Sequence, residues 1–174
     1  MDTWLDWERN TSKICKKAYA RLTMLTKLKY AGVNTEDLVN VYILFIRSTL
    51  EYCSVLWHST ITSDQAQSIE RVQKTCLKVI LGKEYKGYAD ALEYCGLQPL
   101  SERREARCLQ FGLKCLLHPV HRRMFPVNPQ LDEASNTRSQ EHFVVNWART
   151  ESYRMSAVPY IQRKLNDYVR SQKK

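Results

Sequence analysis

Over residues 9–29 the chain carries Arg9, Lys13, Lys16, Lys17, Arg21, Lys27 and Lys29 and no acidic residue. A helix face that needs only hydration usually mixes signs to collect i,i+4 pairs, so a one-signed run is suited to meeting negative charge from outside. Further along, Arg71, Lys74 and Lys78 recur at offsets of three and seven, a spacing that shares one helical face, and Arg103 and Arg107 follow at a step of four. Lys and Arg placed in this way can neutralise phosphates and release counterions, an attraction that is strong, sequence-independent and salt-sensitive. Lys13, Lys16, Lys17, Arg21, Arg71, Lys74, Lys78, Arg103 and Arg107 are therefore the candidate nucleic-acid contacts. The competing reading is that these are solubilising faces. A balance of 27 Lys and Arg against 18 Asp and Glu, +9 in formal charge, favours a polyanion without identifying it.

Other chemistry finds little to work with. Cys108, Cys115, His118 and His121 are the one local cluster of metal-ligand types. Their spacing lacks the close Cys-x2-4-Cys pair of structural zinc sites, and Cys108 to Cys115 is a heptad step, so buried thiols and surface histidines are expected and no metal. The six cysteines are scattered, mostly at apolar-face positions, and read as buried free thiols and not as a disulfide framework. There is no Gly-x-Ser-x-Gly elbow and no glycine-rich phosphate loop. His58 beside Trp57 reads as a helix-end residue. No cofactor is implied.

The elements that must position the basic residues are helices. At 174 residues and 44% hydrophobic, the chain can bury a self-standing core. Its longest apolar run, 41–46, stops at Arg47, far short of the ~20 residues of a membrane span. Met1-Asp-Thr-Trp lacks the basic and apolar regions of a secretory signal, so an intracellular chain, nuclear or cytoplasmic, is expected.

Trp7, Ile14, Ala18, Leu22, Leu25 and Leu28 make a helical stripe over 6–31, with Gly32 as its stop. Asn34 or Thr35 can cap the next helix. Leu38, Val41, Tyr42, Phe45, Ile46, Thr49, Cys53, Leu56 and Trp57 keep one face through 38–57, which reads as a single central helix with a polar strip of Asn40, Arg47, Glu51 and Ser54. Thr62 and Gln65 have capping-box spacing, and Gly82 closes the helix they open. In that helix Ile69, Val72, Cys76 and Ile80 should face inward, with Arg71, Lys74 and Lys78 outside.

Gly87 and Gly96 bracket a short helix at 88–95. Ser101 can cap a longer one whose buried stripe is Ala106, Leu109, Leu113, Leu116 and Leu117, and Pro119 ends it. Residues 126–142 read as an exposed loop, 143–147 as extended, and 156–170 as a last helix with Pro159 in its first turn. The expectation is an all-α helical bundle over 1–118 with a loop-rich C-terminal extension over 119–174 that ends in a helix.

One set of motifs is also familiar. Tyr42-Ile-Leu-Phe-Ile-Arg-Ser-Thr-Leu-Glu-Tyr-Cys-Ser-Val-Leu-Trp-His58, Ile69-Glu-Arg-Val-Gln-Lys74 and Ile80-Leu-Gly82 resemble the region after the palm in reverse transcriptases of non-LTR (LINE, jockey-like) retrotransposons. Trp7, Ile14-Cys-Lys-Lys-Ala18 and Arg21-Leu22 look like that family's first thumb helix. Gly96-Leu97, Leu100 and Arg103-Arg104-Glu105 look like its later helices, and Arg149-Thr-Glu-Ser-Tyr153-Arg154 with 156–166 like its C-terminus. The resemblance implies that the bundle is thumb-like and holds a template and primer duplex, RNA or RNA/DNA, through backbone contacts. It further implies a palm domain or another protein as neighbour.

Polymerase chemistry itself is not expected of these residues. It needs clustered carboxylates holding two divalent metals, and the chain contains no Asp-Asp; Tyr88-Ala-Asp-Ala91 supplies one carboxylate where the family's turn has two. The resemblance begins after the palm, so that active site is expected upstream of Met1. The segment from Trp7 to Val33 also resembles the N-terminal segment catalogued with AlkB-homologue dioxygenases, whose iron chemistry requires a His-x-Asp pair that this chain lacks. Two functions of different class thus follow: a non-catalytic nucleic-acid-binding fragment of a reverse transcriptase, or a domesticated protein–protein interaction module.

Overall fold

The computed structural model describes residues 7–129 and 141–172. Most of the expected loop at 126–142 lies outside the described residues. Those described are all-α: α1 (Glu8–Tyr30), α2 (Thr35–Val41), a π-helical segment (Tyr42–Arg47), α3 (Ser48–Leu50), α4 (Ser54–Trp57), α5 (Ser63–Leu81), α6 (Tyr88–Tyr94), α7 (Leu100–Leu117), α8 (Glu151–Arg154) and α9 (Ala157–Gln172). Two 3-10 turns, Gly82–Glu84 and His121–Met124, complete the set. No helix among them is long and apolar enough to cross a membrane.

The described residues form two compact units. One runs to Cys53 and resumes over Ile61–Arg104, and the other takes in Ser54–Thr60 and the residues from Glu105 onward. The sequence boundary at 118 falls inside the second unit, because the inward residues of α7 from Cys108 on belong to a core built with C-terminal residues.

In the first unit α1 and α5 pack on each other. Thr11, Ile14, Cys15, Ala18 and Leu25 are the buried residues of α1, and Gly32, at φ +84°, takes the left-handed turn that ends it. Thr62 and Gln65 form the full capping box: Thr62 Oγ1 accepts from Gln65 N at 3.2 Å and Gln65 Oε1 accepts from Thr62 N at 3.0 Å. Inside α5 lie Ile69, Val72, Cys76 and Ile80, as their spacing predicts, together with Gln73, Leu77 and Leu81.

Gln73 anchors a polar network inside this core. Its Oε1 accepts from the Tyr42 hydroxyl, and its Nε2 donates to Tyr88 Oη at 2.8 Å and to the Gln98 carbonyl at 3.1 Å. The Tyr88 hydroxyl donates to Glu70, whose carboxylate also accepts from Leu100 N at 3.1 Å. Glu70 therefore satisfies a donor in the first turn of α7, where the helix dipole favours negative charge. Ser101, the expected cap, lies exposed inside α7.

The expected single helix over 38–57 is broken. Asn34 caps its start, accepting from Asp37 N at 2.8 Å, but after Val41 the backbone widens into the π segment. A π turn holds an extra residue, so the face-to-sequence phase slips. Phe45, Cys53 and Leu56 turn outward while Leu50 is buried. Cys53, at φ +50°, sits in the left-handed region between α3 and α4. The supposed polar strip is affected too: Glu51 and Ser54 are buried. Trp57 is buried, as its place at the apolar end predicts.

The second unit is cored by Cys108, Cys115, Phe125, Phe143, Ile161 and Leu165. Here the stripe expected on α7 is corrected: Ala106 and Leu117 are exposed, Leu109, Leu113 and Leu116 half-buried, and the inward face is Cys108, Gly112 and Cys115. Gly112 explains the choice, since a Cβ there would lie 2.6 Å from Ile161 Cγ2, so only glycine allows α9 so close. Two amides of α9 then hold irregular chain in place. Asn166 Oδ1 accepts from Phe143 N at 2.7 Å and its Nδ2 donates to Phe143 O at 3.0 Å. Gln162 Oε1 accepts from Asn146 N at 2.8 Å, and its Nε2 donates to the Met124 carbonyl at 2.9 Å. With an isolated antiparallel bridge between Val127 and Phe143, in which Val144 N donates to the Pro126 carbonyl at 2.9 Å, this pairs the N–H groups of Phe143, Val144 and Asn146. Pro159 lies in the first turn of α9, where its missing N–H costs nothing.

Candidate nucleic-acid interface

Lys13, Lys17 and Arg21 stand one helical turn apart along α1 and line a common groove. Its other lining residues are Asn10 and Ile14 of α1, Ser48 and Thr49 of α3, and Tyr52 just beyond. The groove has a volume of about 480 Å³, and none of its described lining residues is a carboxylate. Lys13 and Lys17 are exposed. Arg21 is half-buried, and its Nη1 donates to the Phe45 carbonyl of the π segment and to Thr49 Oγ1. It therefore fixes one wall of the groove as well as adding charge to it.

The remaining sequence candidates are distributed differently. Lys16 lines a separate groove with Tyr19, Asp64, Gln65 and Ser68, whose lining includes two carboxylates, Glu8 and Asp64. Arg71, Lys74 and Lys78 are exposed on α5, but Lys74 Nζ lies 4.8 Å from the centroid of the Tyr88 ring and Lys78 Nζ 5.6 Å from that of Tyr85, both within cation–π range. Arg103 is turned inward: its Nε donates to Glu51 Oε1 at 2.9 Å and its Nη2 to Oε2 at 3.4 Å. Glu51 is 2% exposed and has Arg47 Nε at 3.9 Å as well. A carboxylate so desolvated needs a cation beside it, which makes Arg103 a structural partner and not an outward contact. Arg107 is exposed on α7, in the second unit.

Tyr52, Ser48 and Asn10 are groove residues that the periodicity does not single out, and Thr49 is one that it assigns to the apolar face of 38–57. The hydroxyl-rich step Ser48-Thr49 is visible as letters, but its placement beside α1 depends on the π segment, which has no sequence signature here.

The residues weighed for catalysis and metal binding are spread over both units. Tyr88 faces Glu70 and Gln73, and burial followed by the Glu70 contact pushes its phenol above the usual range. Asp90 lies exposed in the first turn of α6. Cys108 and Cys115 point into the second unit's core, whereas His118 and His121 are exposed and stacked on each other at 4.4 Å. Among the described residues no group of three His, Cys, Asp or Glu side chains could hold a metal ion. The six cysteines are free. Burial pushes the Cys76 thiol up to about 12 and also raises Cys15, where the Arg104 charge opposes it. Cys53 departs from the expectation of burial and is exposed, and Cys95 is half-buried. Compared with family models, with curated proteins and with solved structures, the chain matches none.

Proposed function

We propose that the chain is a non-catalytic nucleic-acid-binding region, equivalent to the thumb and following helices of a non-LTR retrotransposon reverse transcriptase, that grips an RNA or RNA/DNA duplex by its phosphates. The observation that carries this reading is the groove beside α1, lined by Lys13, Lys17 and Arg21 with no carboxylate among its described lining residues. Lys13 and Lys17 are exposed and share the groove with no described acid, so they are available for phosphates, and each neutralised phosphate releases counterions. The resemblance of residues 42–58 and 69–82 to the reverse-transcriptase region supports the choice of a duplex as polyanion.

The test is the salt dependence of binding to an RNA·DNA hybrid for the wild type and for the Lys13→Gln/Lys17→Gln variant. With two fewer phosphates neutralised, the log–log slope should flatten by about 1.8, and unrelated base sequences should be affected alike. Both side chains are exposed, so the melting midpoint should hold. Absence of salt-dependent binding at low ionic strength, or an unchanged slope in the variant, would sink the reading.

A second reading has its own observation. Leu44 and Phe45 of the π segment are 66% and 50% exposed, an apolar surface that suits a protein partner or a second copy of the chain. In that case sedimentation should show self-association or complex formation that Phe45→Glu abolishes. A monomer indifferent to that change removes the self-association form of the reading.

A further inference from the structure

We propose that the groove beside α1 also takes an unpaired nucleotide, with Tyr52 as the ring on which its base stacks, so that the protein prefers a duplex carrying a single-stranded extension to a blunt one. This rests on the reading of Lys13 and Lys17 as phosphate contacts and specifies what lies next to those phosphates. Tyr52 is 73% exposed, yet it lines the same groove as the three α1 cations. The left-handed turn at Cys53, φ +50°, follows it directly, and Tyr52 N donates to the Thr49 carbonyl at 3.4 Å. The residue is thus presented where the helix ends, outside the regular face pattern.

Three further features fit an unpaired nucleotide. The groove's volume of about 480 Å³ falls within the roughly 300–1,000 Å³ of sites that enclose small ligands. Its polar lining is Asn10, whose neutral amide can meet sugar and base edges, and Ser48 and Thr49, whose hydroxyls donate to the Leu44 and Phe45 carbonyls and so face a nucleotide as acceptors; the charge of its described lining is of one sign. A basic groove with an aromatic platform is the arrangement that holds single strands, because every base has a π face to stack. Inside a duplex those faces are covered by neighbouring bases, so a lone tyrosine can stack only on an end or an unpaired base.

The experiment compares a blunt RNA·DNA hybrid with the same hybrid bearing a short single-stranded extension. Wild type should bind the extended hybrid more tightly. Tyr52→Ala should weaken binding to it by roughly 5- to 100-fold, the usual effect of removing the platform under one stacked base, and leave the blunt hybrid nearly unchanged. Tyr52→Phe should keep the preference, which separates stacking from any role of the hydroxyl. Equal affinity of wild type for the two hybrids, or a Tyr52→Ala loss equal on both, overturns the inference while leaving phosphate gripping intact. An unchanged salt slope in Lys13→Gln/Lys17→Gln overturns the phosphate reading itself, and this inference falls with it.

Discussion

The groove beside α1 and the surroundings of Glu51 use the same kind of residue in opposite ways. Lys13 and Lys17 stand exposed in a groove with no carboxylate among its described lining residues. Arg103, from an equally basic stretch, is drawn onto Glu51, which is buried and accepts from it at 2.9 Å. The difference lies in the acid, not the base. A carboxylate removed from water costs several kcal/mol unless it is paired, so it takes any cation within reach. Where no acid is buried, the cations stay hydrated and can exchange that hydration for phosphate. The number of basic residues in a stretch is therefore a poor guide to how many can meet a ligand.

The largest expected effect is on Arg103. Arg103→Gln should lower stability by about 3 kcal/mol, the low end for breaking a buried pair, because Arg47 remains near Glu51. The salt slope of nucleic-acid binding should not move. Adding Glu51→Gln should recover part of the loss, since the double variant no longer buries an unpaired charge. A stable Arg103→Gln protein with a flatter slope would mean that Arg103 meets phosphate, and the contrast would collapse.

Arg21 stands between the two cases and should behave accordingly. Its guanidinium holds the Phe45 carbonyl and Thr49, so Arg21→Gln should cost about 1.5 kcal/mol, the low end for a hydrogen bond from a charged donor. The slope should fall by less than the ~0.9 of one fully neutralised phosphate. Denaturant melts and salt titrations on this one variant measure both. A fall of the whole ~0.9 with unchanged stability would place Arg21 with Lys13 and Lys17.

What can be read from the sequence is what local rules fix. The stripe of α1, the Asn34 cap, the Thr62–Gln65 box and the inward face of α5 each depend on residues within a turn or two of one another, and each is present. The rest depends on distant partners. The π segment places its Phe45 carbonyl against Arg21, a residue 24 positions earlier, and it moves Phe45 outward and Leu50 inward. Glu51 reads as surface because Arg103, its partner, lies 52 positions away. On α7 the leucines look like the buried stripe, but close approach of Ile161 to Gly112 turns Cys108 and Cys115 inward. Of the nine candidate contacts, Lys13, Lys17 and Arg21 are brought to one groove; Lys16 lines another, and Arg103 is held by Glu51.

The face of α5 supplies the smallest effect per residue and the most discriminating one. Lys74 and Lys78 are exposed like Lys13 and Lys17, but each lies over a tyrosine ring, at 4.8 and 5.6 Å. An exposed cation–π contact is worth about 0.5–1 kcal/mol, so leaving the ring for a phosphate carries a small penalty that the α1 lysines do not have. Lys74→Gln/Lys78→Gln should therefore lower stability by no more than about 1–2 kcal/mol. It should flatten the salt slope by clearly less than the ~1.8 expected for the α1 pair. Tyr85→Leu, which removes the ring beneath Lys78, should move the slope the other way, making Lys78 a fuller contact. If the α5 pair flattens the slope as much as the α1 pair does, the rings are no restraint. A larger drop from the α5 pair than from the α1 pair would make α5 the main grip on the duplex and α1 the solvated face.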